Sequence, residues 1–493
     1  MTTASAPDRE GIEWASDMLV DGRLIRGGGM TIEVDDPAIG QPVTSVNAAS
    51  VEQVDAAVLA ARRAFDSDAW RDAATRRACL LALADLMDRH RWELTSMVVT
   101  EVGTPIALCE SLQVSEPIAI LRYFAELATV DRTRILGRTD NPSPSEAVIR
   151  YQPSGVVAAV TAYNYPLLFA AVKLGAALAA GCTAVLLPSF QTPMTTLRLG
   201  ELCHAVGFPD GVVNVLAGGV DTARELTSHP GVDKVSFTGS TEVGRQIMAQ
   251  AAPNLTRLVL ELGGKSPSIL LPGVDISEIA AAVHSRYLRN AGQGCSSPTR
   301  ILVHRSQFDH FVELTHSVMK SINVGDPWDP QTVAGPLISA SHRDRVEGYV
   351  ERAVTRDGGR IVGGGGRPEL PRGWYMNPTV LTGVSNRSEI ARNELFGPVG
   401  LIFAYDSIED AVGLANDSDF GLAATIYGDP GQARTLAPRL RVGTVMINGW
   451  VSRRDHVSGG FKHSGMGRES GEEGLREFLE TQYIAWPVAT DWF

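Results

Sequence analysis

The spacing of apolar positions changes at Gly155. Upstream of it, Ser50-Val51-Glu52-Gln53 reads as a capping box opening an amphipathic helix toward Phe65, and Thr75 to His90 repeats the helical period. Downstream, short apolar runs alternate with helical stretches. Strands are predicted at Val156 to Thr161, Thr183 to Leu187, Val212 to Val215, Val235 to Phe237 and Leu258 to Leu262, and helices after Pro166, after Pro193 and from Thr241. Continuous apolar strands separated by helices are the pattern of a parallel, doubly wound α/β sheet covered on both faces. A second α/β run begins near Ser268 and continues to about Asn448, with Gly363 to Gly366 read as a surface turn. Asp131 to Arg150, polar and carrying Pro142 and Pro144, is too long for a plain turn and reads as an excursion that packs on another subunit. No internal repeat is visible.

The most apolar stretch, Leu174 to Leu187, is interrupted by Gly181 and is shorter than the ~20 residues of a bilayer span. A buried helix followed by a buried strand is expected there, and no membrane association. At 493 residues and 44% hydrophobic content the chain exceeds one core and predicts at least two domains. The formal net charge of −12, with both signs interspersed, gives no footprint for nucleic acid or an anionic membrane and favours small-molecule substrates. The five cysteines, at 79, 109, 182, 203 and 295, match no metal-ligand or redox spacing. Reduced thiols, no metal and a cytoplasmic address follow as expectations, and Met1 to Gly11 lacks the order of a secretion signal.

Candidate chemistry sits at strand ends. Cys295 lies in Gly292-Gln293-Gly294-Cys295-Ser296-Ser297, where flanking glycines let backbone N–H groups approach a reacting centre. Upstream, Glu261-Leu262-Gly263-Gly264-Lys265 places a carboxylate at the end of an apolar strand, and Thr161-Ala162-Tyr163-Asn164 places an amide at another. Thr238-Gly239-Ser240 opens a helix whose free N–H groups suit a phosphate. Taken singly, a buried thiol, a loop carboxylate, a capping asparagine and a plain glycine turn account for each; together they converge on one site. Cys79, Cys182 and Cys203, in apolar surroundings, are expected to be buried thiols.

With Asn393-Glu394-Leu395-Phe396-Gly397-Pro398, Leu414-Ala415-Asn416-Asp417, Phe420-Gly421-Leu422 and Gly459-Gly460-Phe461-Lys462 through Gly467-Arg468-Glu469, the chain resembles the aldehyde dehydrogenase superfamily over nearly its whole length. The resemblance implies Cys295 as nucleophile, Glu261 as base, and Asn164 with the Cys295 N–H as oxyanion hole. It implies Glu394 on the nicotinamide ribose with Phe396 nearby, Thr161, Tyr163, Gly219, Ser240 and Leu262 along a dinucleotide cleft, and Lys173 near the site. NAD is the implied cofactor, with NADP left open, because Leu187-Pro188-Ser189-Phe190 stands where the family shows Lys-Pro-Ser-Glu at the adenosine ribose. The implied architecture is a dinucleotide-binding domain (1–129 and 151–265), a catalytic α/β domain (266–474) and a small β oligomerisation arm (130–150 and 475–493), assembling as a homodimer or homotetramer.

The function so implied is oxidation of an aldehyde to its acid through a thiohemiacetal and a thioester. A thiol-dependent esterase or acyl transferase, and a cofactor-poor scaffold, are the competing readings. Val172 and Ser458 stand where many relatives place large aromatics, which suggests a wide tunnel, whereas Phe169 or Trp450 could fill it. Arg453-Arg454 could attract an acidic substrate.

Overall fold

The computed structural model describes residues 11–451 and 453–488. The expectation drawn from Met1 to Gly11 falls almost wholly outside them, as does the end of the predicted arm. The eight-stranded sheet has a parallel centre in the spatial order Val213–Val215, Thr183–Leu187, Val156–Val160, Lys234–Thr238, Arg257–Glu261. The chain works outward from Val156–Val160 in one direction, then crosses back to lay Lys234–Thr238 on its other side. At this switch point the strand-to-helix loops diverge and leave a crevice at the carboxyl ends. The loop Thr161 to Tyr165 and the turn Thr238-Gly239-Ser240 border it.

Helix Pro166–Ala180 covers the sheet and is buried along almost its whole length; proline at its first position presets the helical φ. Gly175 lets the Phe124 ring close on it, since a Cβ there would stand 2.7 Å from the ring. Gly181, at φ 98°, ends the helix in the left-handed region and turns the chain into Thr183–Leu187. Leu174 to Leu187 is thus a buried helix and a buried strand. The predicted capping box is present, with the Ser50 hydroxyl accepting from the Gln53 N–H at the head of Val51–Asp66.

A seven-stranded sheet builds the second α/β unit, in the order 360–364, 379–382, 399–405, 300–304, 267–270, 423–427, 444–447, parallel except at its first edge. That edge corrects the reading of Gly363 to Gly366. Gly363 and Gly364 belong to strand Arg360–Gly364, and only Gly365 and Gly366 turn. The pairing requires glycine, because a Cβ at Gly364 would overlap the Pro378 carbonyl. A second correction concerns Cys79, which is half-buried, whereas Cys182 and Cys203 are fully buried.

A three-stranded antiparallel sheet joins Arg134–Thr139 and Ser145–Pro153 to Leu479–Pro487. Just before it the chain returns to the first unit. Gly465–Met466 pairs antiparallel with Arg257–Glu261, and Leu475 and Phe478 enter the core of the first sheet. Among the described residues no helix is long and apolar enough to cross a membrane.

Candidate active site

Helix Ile276–Leu288 leads into a loop whose backbone is unusual. Asn290 and Ala291 adopt φ 51° and 52°, followed by Gly292 at 77°. Non-glycine residues in the left-handed region cost of order 1–3 kcal/mol and persist where surroundings over-determine them. Here the surroundings do so. Asn290 Nδ2 donates to the Asn164 carbonyl (3.0 Å), and Asn290 Oδ1 accepts from Thr104 Oγ1 (2.8 Å). Gln293 Nε2 donates to the Asn290 and Pro336 carbonyls, while its Oε1 accepts from the Tyr163 hydroxyl (3.1 Å) and the Ile338 N–H (3.0 Å). Glycines admit the loop from both sides, since a Cβ at Gly264 would overlap the Cys295 carbonyl and one at Gly292 the Gly397 carbonyl.

This loop delivers Cys295 to a cavity of about 400 Å³, also lined by Glu261, Thr238, Phe169, Val172 and Glu469. Burial, then the nearby carboxylates of Glu394 and Glu261, pushes the Cys295 thiol up to about 12, opposed by the Ser296 and Cys295 N–H groups. Those N–H groups therefore favour negative charge on the sulfur. Glu261 closes strand Arg257–Glu261, is buried, and has Oε1 without a partner among the described residues. Its carboxyl is held well above the usual range by burial first and Glu469 second, with Lys173 and Arg468 opposing.

Lys173 and Glu469 form a buried ion pair, which Ser236 Oγ completes by accepting from Lys173 Nζ (3.0 Å) and donating to Glu469 Oε1 (3.0 Å). Removing one member leaves an uncompensated buried charge. Lys173→Met is accordingly expected to destabilise the protein by about 3–5 kcal/mol in urea denaturation, far beyond a surface lysine-to-methionine control. Asn164 is buried and does not line the cavity; its Nδ2 donates to the Gln293 carbonyl at 2.8 Å, two residues before Cys295, and its Oδ1 has no partner among the described residues.

The residues around the switch point fit a dinucleotide. Thr161 Oγ1 and Thr238 Oγ1 are buried without partners among the described residues, at the ends of the two strands that flank it. Helices Val220–Ser228 and Thr241–Ala251 pack together, with Gly219 and Ser240 at their N-caps, so two sets of free N–H groups suit a pyrophosphate. The Ser240 hydroxyl is itself engaged, accepting from the Val243 N–H. Val220 (64% exposed) and Val243 (40%) offer apolar surface for a flat ring. Glu394 is fixed by the Gly264 N–H on its Oε1 (2.9 Å), and burial raises its carboxyl to about 7. Phe396, at φ 60°, sets its ring edge-on to Tyr163 at 5.7 Å. Tyr163 is tied to Gln293, and Leu262 lies beneath Gly244 of helix Thr241–Ala251. Leu187 is 1% exposed within the core and Phe190 is 47% exposed beyond the strand, so neither supplies a polar contact.

The model of the aldehyde dehydrogenase family matches residues 25–484. The chain belongs to the aldehyde dehydrogenase family. Its activity is that of an NAD(P)-dependent aldehyde dehydrogenase. Among similar proteins, the geranial dehydrogenase of Castellaniella defragrans is 41% identical over 439 residues, covering 88% of this chain and 90% of that one. The aminoacetaldehyde dehydrogenase of Pseudomonas aeruginosa is 39% identical over 449 residues, covering 89% of each. The NAD+ complex of an aldehyde dehydrogenase from Bacillus cereus superposes with a TM-score of 0.92 at 34% identity, covering 96% of this chain and 97% of that one. The esterase and scaffold readings gain no support from these relatives.

Several residues of this aldehyde dehydrogenase site were not singled out by the sequence reading. Gln293 and Asn290 shape the nucleophile loop, and Glu469 and Ser236 complete the Lys173 network. Gln293 and Glu469 stand inside the quoted motifs, whereas nothing local marks Ser236, a small polar residue within an apolar strand. Phe169 and Trp450 line the open cavity together with Val172 and Ser458, so the tunnel is not filled by either aromatic. Arg453 is neutralised by Asp455 through contacts of 2.8 and 2.7 Å.

Proposed function

We propose that Cys295 attacks the aldehyde carbonyl, that Glu261 takes the proton of the attacking water, and that the backbone N–H of Cys295 holds the oxyanion together with the Asn164 amide once that amide turns from the Gln293 carbonyl toward the cavity. The observation that carries this reading is a thiol and a proton-avid carboxylate, unpartnered among the described residues, lining one cavity, with backbone N–H groups that favour the thiolate. Attack by the thiolate gives a thiohemiacetal whose oxygen gains charge, and fixed donors are worth most at that point. Glu394 would hold the nicotinamide ribose, Phe396 and Tyr163 would wall its ring, and Thr161, Gly219, Ser240 and Leu262 would line the remaining cleft. A bound NAD(P) would supply the acceptor for the hydride that leaves the thiohemiacetal carbon. The thioester left on Cys295 then meets water deprotonated by Glu261, and the carboxylic acid departs. The test is coupled: formation of reduced dinucleotide must match formation of acid one for one, and neither must occur without the other.

NAD is the preferred acceptor in this reading, held without polar ribose contacts at Leu187 and Phe190. A Leu187→Lys/Phe190→Glu variant is expected to lower the NAD dissociation constant by roughly 10- to 100-fold in a fluorescence titration, since the two contacts together are worth about 1.4–2.8 kcal/mol net of desolvation.

For the assembly, we take 130–150 with 479–488 as the oligomerising arm and join 465–478 to the dinucleotide unit, leaving 266–464 as catalytic. Ile135, Leu136, Tyr483 and Trp486 on the arm are exposed, an apolar surface that suits a homodimer or homotetramer. A cytoplasmic address accords with the scattered free thiols. Light scattering in solution tests the assembly; a monomer would refute it.

A further inference from the structure

The 400 Å³ cavity carries charge that the oxidation chemistry does not use. Arg286, in the last turn of helix Ile276–Leu288, and Arg289, immediately after it, both line the cavity that holds Cys295. Cations at a helix C-terminus are commonly there to satisfy its carbonyls. These two do not: among the described residues neither donates a hydrogen bond nor pairs with a carboxylate, although most arginines of this chain do one or the other. The Arg286 guanidinium lies over the Trp450 ring at 4.6 Å. Stacking covers the flat face of a guanidinium and leaves its edge N–H groups, the ones that grip a carboxylate bidentately, pointing elsewhere. Both arginines act electrostatically on Tyr165, which also feels Cys295, so the cations stand within reach of the reacting centre. The Arg286 guanidinium is unwelcome where it is. Burial and then the charge of Arg289 lower the affinity of Arg286 for its proton.

The remaining charges on the wall do not cancel the pair. Among the described residues Arg454 is exposed and unpaired, Arg453 is matched by Asp455, and Glu469 is matched by Lys173. Among the described residues Glu116 and Glu261 are the wall's carboxylates without an ion-pair partner, and Glu261 is held proton-avid by burial. Two adjacent, partly buried cations with idle donors on the wall of a substrate cavity form a site that a substrate anion would satisfy.

We propose that Arg286 and Arg289 form a carboxylate subsite and that the preferred substrates are aldehydes carrying a carboxylate at the end remote from the carbonyl. This rests on the reading of Cys295 as the nucleophile of aldehyde oxidation. The apolar walls at Phe169, Val172 and Trp450 would hold the intervening carbons, and the arginines would fix the length of the chain that places the carbonyl at Cys295.

The test compares kcat/KM for ω-oxo acids of increasing length with the unbranched alkanals of the same length, in the wild type, Arg286→Leu, Arg289→Leu and the double variant. The wild type is expected to prefer the oxo acid by roughly 10- to 100-fold at its best length, and the double variant to lose that ratio mainly through KM. Arg289→Lys, which keeps the charge, is expected to retain part of the ratio. A wild-type ratio near or below one, or a ratio untouched by the double variant, overturns the subsite. Titration calorimetry with 6-hydroxyhexanoate, which has the carboxylate and no aldehyde, separates the two readings. Binding that the double variant abolishes, in a protein that oxidises no aldehyde, would uphold the subsite and refute the oxidation; turnover of alkanals without preference or binding would do the reverse.

Discussion

Cys295→Ala is expected to lower kcat for aldehyde oxidation by on the order of 10⁴-fold or more, with dinucleotide binding retained. The reason lies in the chemistry the cavity offers. An aldehyde hydrogen becomes a good hydride only once a nucleophile has added to the carbonyl and left negative charge on its oxygen, and Cys295 is the thiol on the wall. At rest that thiol is disfavoured as an anion, being buried beside Glu394 and Glu261. Its activation therefore calls for a proton acceptor near the sulfur, and the carboxylates of Glu394 and Glu261 both act on it, so loss of Glu261 leaves an acceptor for the first half-reaction. Reduced dinucleotide formed under saturating aldehyde, with binding followed by fluorescence, checks the expectation. Residual turnover within tenfold of the wild type would point to another nucleophile.

Glu261→Gln carries the second large effect. The amide fills the same space but cannot take a proton, so water attack on the thioester slows and kcat falls by about 10²- to 10⁴-fold. The two half-reactions then separate: a first turnover remains visible as a burst of reduced dinucleotide, followed by a slow steady state. The pH dependence follows from the same residue. The base works deprotonated, and its carboxyl titrates above the ordinary range, so wild-type kcat rises with pH through a limb displaced upward from that range and levels off above it. Glu261→Gln loses the limb. Lys173→Met moves it further up, because Lys173 is among the charges that favour the Glu261 carboxylate.

The parts of this site that the sequence disclosed are those set by local backbone demands. Apolar strands ending in Glu261 or in the Thr161 to Asn164 turn, and glycines on both sides of Cys295, carry their reason in adjacent residues: a strand must end, a loop must pass close. The capping box at Ser50 was legible for the same reason. What depends on residues far apart was not legible. Ser236 bonds Lys173 and Glu469 across the fold, and Gln293 gathers Tyr163 and Ile338, partners with no sequence proximity. The return of Gly465–Met466 to the first sheet is of this kind, a two-residue pairing with no hydrophobic period to announce it. Gly363 and Gly364 misled in the opposite sense, because a glycine run that reads as a turn here admits the Pro378 carbonyl to a strand edge.

The claim that the reaction runs through a covalent intermediate on Cys295 is tested most directly by intact-protein and peptide mass spectrometry of Glu261→Gln, mixed with an aldehyde and NAD and quenched in acid. The account predicts an adduct of the aldehyde mass less two hydrogens, on the peptide containing Cys295, present only when the dinucleotide is added. No adduct during a burst of reduced dinucleotide, or an adduct on Cys79 with Cys295 unmodified, would contradict it.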